Sequence, residues 1–190
     1  FIDWFRTSLD DPCLDPLLRA AICHIWFVTL HPFDDGNGRI ARALTDLALS
    51  QADNQSIILY AMSTVIFEHR ADYYRALEQT QRGGVDVTEW LVWFLDTLNV
   101  TLEQAQQSCT QTLARQRFWQ QHANDQLCPE QVMILNHLLG GYTQDGLPYI
   151  SASQYQKIAQ VSKSTATRHL TDLLEKKCLE KEPGGGGRNT

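Results

Sequence analysis

Apolar residues recur three and four positions apart through most of this chain, the spacing of one face of a helix. Leu18, Ala21, Ile22, Ile25 and Val28 share one such face, and Ile40, Ala43, Leu44 and Leu47 share another. Asp15-Pro16 precedes the first, a cap residue followed by proline at the first helical position. Phe1 to Leu9 predicts a short helical fragment with no cap. Pro32 disfavours helix at the residue before it, so the first long helix should end near His31. Two amphipathic helices, the second reaching about Ala52, therefore meet at a bend and form the centre of a first domain. Ser56 to Gln81 predicts two further helical pieces, stopped at Gly83-Gly84. Asp86-Val87-Thr88-Glu89 has the form of a capping box. It opens a long helix whose Trp90, Leu91, Trp93, Phe94 and Leu98 make a broad core face. That helix continues, polar and glutamine-rich, to about His122.

The pattern then breaks and restarts. Residues 123–128 are the expected linker. Pro129-Glu130 opens a helix through Leu139 that Gly140-Gly141 stops. A second helix is expected over 153–160, then a Val161-Ser162 turn. A third, over 164–178, turns Ala166, Leu170, Leu173 and Leu174 inward. Leu179-Glu180-Lys181-Glu182 is expected to begin a strand, and Pro183 to Arg188 forms a glycine-rich tip. Helix, helix, tight turn, helix and hairpin resembles a winged helix-turn-helix with an incomplete wing. The fold class is thus mainly α: a helical bundle over 1–122 and a small second domain over 129–190. If that domain binds DNA, Lys163, Ser164, Thr165, Thr167 and Arg168 at the start of its third helix would face the groove.

Charge supports the division. The net charge is −6, and it is concentrated before about Asn124. From Cys128 onward seven Lys/Arg (157, 163, 168, 176, 177, 181, 188) nearly balance six Asp/Glu (130, 145, 172, 175, 180, 182). Neither half is basic enough for charge alone to imply nucleic acid. The five cysteines are scattered and lack Cys-x-x-Cys spacing. They predict reduced thiols in a cytoplasmic protein rather than a disulfide framework or a zinc site. The longest apolar run, Ala20 to Leu30, is too short for a membrane span. The chain begins at Phe1, so a preceding segment is expected.

The candidate chemistry lies at the bend, His31-Pro32-Phe33-Asp34-Asp35-Gly36-Asn37-Gly38-Arg39-Ile40-Ala41-Arg42. Gly36 and Gly38 permit close backbone approach. A Gly-Asn-Gly turn opening a helix directs free N–H groups and the positive end of the helix dipole at an anion. Arg39 and Arg42, one turn apart, add charge-assisted donors for phosphate. Asp35 is a hard oxygen ligand suited to magnesium. His31 is the loop's group for taking a proton. Phe33 is expected to plug the core beneath the loop, and Asp34 to be solvated. His24 is taken as a packed or surface side chain without a chemical role.

This stretch resembles the signature of the Fic (filamentation induced by cyclic AMP) family, His-x-Phe-x-Asp/Glu-Gly-Asn-Gly-Arg-x-x-Arg, at every defined position. The resemblance covers about the first hundred residues. It implies a Fic-type helical bundle that transfers AMP from ATP to a Ser, Thr or Tyr hydroxyl of a target protein. It implies His31 as base, Asp35 on Mg2+, Asn37 near the α-phosphate and Arg39 at the β/γ end. Gly36, Gly38, Arg42, Tyr73 and Tyr74 complete the nucleotide-binding set. Family members that transfer phosphate instead carry lysine where Gly38 stands. Gln81 stands near where some relatives place an asparagine facing the nucleotide. The family's inhibitory helix, Ser/Thr-x-x-x-Glu-Gly/Asn, is not matched: Glu68 is followed by His69 and Glu175 by Lys176. That helix and the target-aligning flap are expected upstream of Phe1. Another Fic-type phosphoryl or nucleotidyl transfer, or a nucleotide-sensing DNA-binding regulator without turnover, stays open as the alternative. A homodimer is compatible with the polar helix before the linker and with the second domain; no membrane partner is expected.

Overall fold

The computed structural model describes residues 1–52, 61–140 and 149–181. Among them every regular element is helical: α1 (Ile2–Thr7), a 3-10 turn (Ser8–Asp10), α2 (Pro16–Leu30), α3 (Asn37–Ala52), α4 (Met62–Glu68), α5 (Arg70–Arg82), α6 (Thr88–Gln121), α7 (Pro129–Leu139), α8 (Ala152–Ala159) and α9 (Lys163–Glu175). The chain divides into two compact units, Phe1–Gln107 and Ser108–Thr190. The division falls within the span of α6.

The first unit is built on α2 and α3. Asp15 caps α2 as its position predicts, accepting from the amides of Leu17 at 2.8 Å and Leu18 at 3.2 Å. α2 stops because His31 takes a left-handed conformation, φ 45° and ψ 54°, where its amide still reaches the Phe27 carbonyl. Pro32 makes continuation of the helix unfavourable. The core gathers Ala20, Ala21, Ile25, Ala48, Leu49, Met62, Ile66, Tyr73, Leu77, Trp90, Phe94 and Leu98, with Leu91 and Trp93 packed on it. Trp90 is fully buried, and its indole N–H donates to the Ala21 carbonyl at 2.8 Å. Burying a large apolar side chain of this kind contributes roughly 1.5–3 kcal/mol, so the aromatic face of α6 is a principal support for α2.

One buried cation ties the N-terminus to this core. Arg19 is 2% exposed. Its guanidinium donates to Ser8 Oγ, Gln51 Oε1 and the Phe5 carbonyl, and lies 4.5 Å from the centroid of the Phe5 ring. Burial lowers its pKa from the usual value. Satisfying the donors makes such burial tolerable.

Four expectations are corrected. The buried face of α3 is Asn37, Ala41, Thr45, Ala48 and Leu49, rotated from Ile40, Ala43, Leu44 and Leu47; Leu47 is 45% exposed. The reason is polar: Thr45 is drawn inward by the buried His24, to which it bonds at 2.9 Å. Phe33 is 50% exposed and meets Phe27 only with ring centroids 6.3 Å apart, so it does not plug the core. At the start of α6, Asp86 binds the amide and hydroxyl of Thr88 at 2.9 and 2.6 Å. This is a turn one residue before the helix rather than a bond to the amide of Glu89. Finally, α9 ends at Glu175, and residues 179–181 are not a strand. Lys177 is left-handed at φ 57°, and the amides of Cys178 and Leu179 fold back onto the Leu173 carbonyl, which uses donors that a strand would need.

In the second unit Ile134, Leu135, Ile150, Tyr155, Ala159, Ala166, Leu170 and Leu173 form the core. Ser151 and Gln154 make a capping box at α8. Ser162 caps α9 through the Thr165 amide at 3.2 Å. Gln160 is left-handed between α8 and α9, which turns the chain tightly. The expected glycine-rich tip lies outside the described residues.

Candidate active site

The bend between α2 and α3 is held by its own polar groups. Asn37 is 3% exposed. Its Oδ1 accepts from the Phe33 amide at 3.0 Å, and its Nδ2 donates to the Phe33 carbonyl. The asparagine thus braces the loop across four residues, and its side chain is committed there rather than projecting outward. Gly36 has φ +84°, a conformation that side chains with a Cβ resist. The Gly36 amide donates to Asp35 Oδ1 at 2.6 Å, and the Gly36 carbonyl accepts from the amides of Arg39 and Ile40 at 3.0 Å each. These are the first helical bonds, so the amides of Asn37 and Gly38 have no partner within the helix.

Both arginines lie against this turn. A Cβ on Gly36 would stand 3.4 Å from Arg39 Nη2, and one on Gly38 would stand 3.7 Å from Arg42 Nη1. Arg39 Nη2 also meets Asp35 Oδ2 at 3.3 Å, a highly exposed pair. Such a pair contributes little to stability, which leaves both partners free to exchange it for other ions. His31, Asp34 and Asp35 are exposed.

Arg42 carries the turn into a cleft of about 290 Å³ lined by Arg42, Ser63, Ile66, Phe67, Arg70, Tyr73 and Tyr74. That volume sits near the lower end for small-molecule sites, roughly 300–1,000 Å³. Tyr73 is buried and Tyr74 is 53% exposed, with ring centroids 5.2 Å apart. Tyr73 is core on one side and cleft wall on the other. The Arg70 guanidinium lies 5.4 Å from the Tyr74 centroid, within cation–π range. The cleft therefore offers two cations and three aromatic rings, Phe67, Tyr73 and Tyr74.

His24 fixes the inner tyrosine. The Thr45 hydroxyl gives its single hydrogen to the Ala41 carbonyl at 2.8 Å. It must therefore accept from His24 Nδ1, and Nε2 is left to accept from the Tyr73 hydroxyl at 3.1 Å. Burial, reinforced by Arg42, pushes the imidazole pKa down to about 3. Burial also raises the Tyr73 phenol to about 12, opposed by Arg42 and reinforced by Tyr74. Both groups stay neutral near pH 7. Asp46, half-buried on α3, is raised by burial and held back by Arg42.

The loop residues and the tyrosine pair are thus brought together, through Arg42. Gln81 is not part of this cleft: it donates to Thr29 at 3.2 Å and lines a separate groove with Ile22, Ile25, Trp26 and Val87. Ser63, Phe67 and Arg70 were not anticipated. Arg70 stands four residues before Tyr74 on α5, a spacing that places the two on one helix face. In the second unit Lys163, Ser164, Thr167 and Arg168 are exposed at the start of α9, and Thr165 is half-buried.

Comparison with known proteins shows what the segment around the bend is similar to. Residues 2–49 match the model of the Fic/DOC family. Over 85 residues the chain is 39% identical to protein adenylyltransferase Fic of Nematostella vectensis, covering 45% of this chain and 18% of that protein. Over 84 residues it is 38% identical to protein adenylyltransferase fic-1 of Caenorhabditis elegans, covering 44% and 15%. The matched stretch thus spans less than a fifth of either relative. Among solved structures, a Fic family protein from Desulfovibrio desulfuricans G20 aligns over 99% of this chain and 51% of its own, at 22% identity and a TM-score of 0.48. The bend that carries the signature thus lies within the segment of this chain, residues 2–49, that is similar to the Fic/DOC family.

Proposed function

We propose that the first unit is a protein adenylyltransferase, moving AMP from ATP to a Ser, Thr or Tyr hydroxyl of a target protein. The observation that carries this is the stacking of Arg39 and Arg42 against the two glycines, at a helix N-terminus whose Asn37 and Gly38 amides lack helical partners. Donors of two kinds converge where a polyphosphate would lie. The curated relatives of this segment bear the name of that activity.

The step divides among the chain's own residues. His31, exposed beside the turn, removes the proton from the incoming hydroxyl. The hydroxyl oxygen bonds to the α-phosphorus, the bond from that phosphorus to the β-bridging oxygen breaks, and pyrophosphate leaves. The turn amides donate to the α-phosphoryl oxygens as their charge grows, the point at which preorganised dipoles contribute most. Arg39 holds the departing β/γ end, and Arg42 pairs with phosphate at the cleft mouth. Tyr73, Tyr74 and Arg70 form the surface for the base and sugar. Asn37 contributes by keeping the loop in shape. Asp35 fits Mg2+ because its Oδ2 has only a long, exposed contact to Arg39. When bound, that ion would neutralise phosphate charge.

The test uses ATP labelled at the α- or the γ-phosphate, with Mg2+, the wild-type chain and His31→Ala. Protein-bound label from the α position, lost in the variant, supports the proposal. Label from the γ position means phosphate transfer. ATP binding without label favours the nucleotide-sensing regulator. For the second unit, a DNA partner would meet the exposed start of α9. A gel shift at low salt, weakened by Arg168→Ala, is expected; no shift with any duplex refutes it.

A further inference from the structure

Away from the loop, the second unit brings three unlike side chains to one point. His122 follows the end of α6, Asp125 lies in the turn after it, and Cys178 lies in the turn after α9. The Nδ1 atom of His122 is 2.7 Å from Asp125 Oδ2 and 3.4 Å from Cys178 Sγ, and that sulfur is 3.9 Å from Asp125 Oδ2. His122 and Cys178 are buried, at 6% and 7% exposure, while Asp125 opens toward solvent at 31% on its side chain. We propose that His122, Asp125 and Cys178 bind one divalent cation of the zinc class, with solvent at the fourth position.

The geometry separates this from a nucleophilic relay. In a thiol–imidazole–carboxylate relay the acid holds one ring nitrogen and the thiol meets the other. Here acid and thiol both address Nδ1, so the three donors surround a common point. Zinc bonds of about 2.0–2.3 Å in a tetrahedron separate donor atoms by roughly 3.4–3.6 Å. The imidazole–sulfur separation matches that, the sulfur–carboxylate separation must close by about 0.3 Å, and the imidazole–carboxylate pair must open by about 0.7 Å to admit the ion. That pair now meets in a hydrogen bond. Phe118 packs against the imidazole with ring centroids 4.5 Å apart and planes tilted by 42°, which limits the ring's movement. One N, one O and one S donor select zinc over magnesium or calcium, which take oxygen. The turn holding Cys178 is itself anchored: Lys176 Nζ donates to the Gln126 carbonyl at 2.8 Å and to Asp172 at 2.6 Å. On binding, the thiol proton leaves to buffer as the metal–sulfur bond forms. The imidazole proton moves from Nδ1 to Nε2 by solvent exchange.

The full chain, freed of metal by chelator, is titrated with Co2+ and then with Zn2+ in excess Mg2+. A thiolate-to-cobalt charge-transfer band at one equivalent is expected. It should disappear on Zn2+ addition and be absent from Cys178→Ser, His122→Gln and Asp125→Asn. Cys128→Ala, which removes the unit's other thiol close to a histidine, should keep it. Zn2+ at a hundredfold excess over its dissociation constant should also raise the unfolding midpoint of the wild type and not of Cys178→Ser. Circular dichroism shows whether each variant is folded. No band in the wild type, or a band that persists in folded Cys178→Ser, overturns the proposal.

Discussion

Lowering the pH should destabilise the first unit through His24. The imidazole is 1% exposed, donates from Nδ1 to Thr45 and accepts at Nε2 from Tyr73. Its folded pKa of about 3 lies below an ordinary histidine at about 6.5. The unfolded chain therefore binds the proton first, and unfolding becomes easier as pH falls through the unfolded value. The stability linked to neutral His24 is present above about pH 6.5 and is lost progressively toward pH 3. At about 1.4 kcal/mol per pH unit, the loss between pH 7 and pH 5 is about 2 kcal/mol. The assay is urea unfolding at both pH values for wild type and His24→Gln, followed by tryptophan fluorescence. The variant starts less stable because it loses ring packing against Trp90 and Tyr73. Its own change between the two pH values should be smaller by about 2 kcal/mol. Equal pH dependence in both proteins would refute the placement of an uncharged imidazole in this core.

Other consequences concern the loop and its helices. Asn37→Ala removes both bonds to the Phe33 backbone and should cost about 1–3 kcal/mol while weakening ATP binding; an unchanged melting temperature contradicts the brace. Gly36→Ala, forced to φ +84°, should lose about 1–2 kcal/mol, whereas Gly38→Ala meets nothing closer than 3.7 Å and should leave stability unchanged. If Gly38→Ala nonetheless abolishes label transfer, the glycine serves phosphate approach and not the fold. Asp15→Ala should lower the melting temperature by the loss of a cap, about 1 kcal/mol; Asp15→Asn, which keeps an acceptor, should recover most of it.

Much of this site could be read from residue order alone, because local chemistry decides it. Asp15-Pro16 starts α2, Pro32 stops it at His31, and the glycines open α3; each acts within a few residues. What could not be read depends on polar and aromatic contacts that apolar spacing does not record. Thr45 turns inward because His24, 21 residues earlier, needs an acceptor. No apolar periodicity records that need, so apolar spacing alone points one position away from the buried face of α3. Asn37 looked like a phosphate ligand, yet its amide is occupied by the Phe33 backbone. Phe33 looked like a core residue because it is aromatic, but its loop has no helical face to bury. Arg70 enters the site only because α5 carries it beside Tyr74 at the cleft.

The central claim is that this loop directs attack at the α-phosphorus. Intact-mass spectrometry after incubation with ATP and Mg2+, with and without protein acceptors, tests it most directly. A covalent increment of one adenylyl group on a hydroxyl side chain, absent from His31→Ala, is expected. An increment of one phosphoryl group, or an adenylyl adduct formed equally well by His31→Ala, would contradict it.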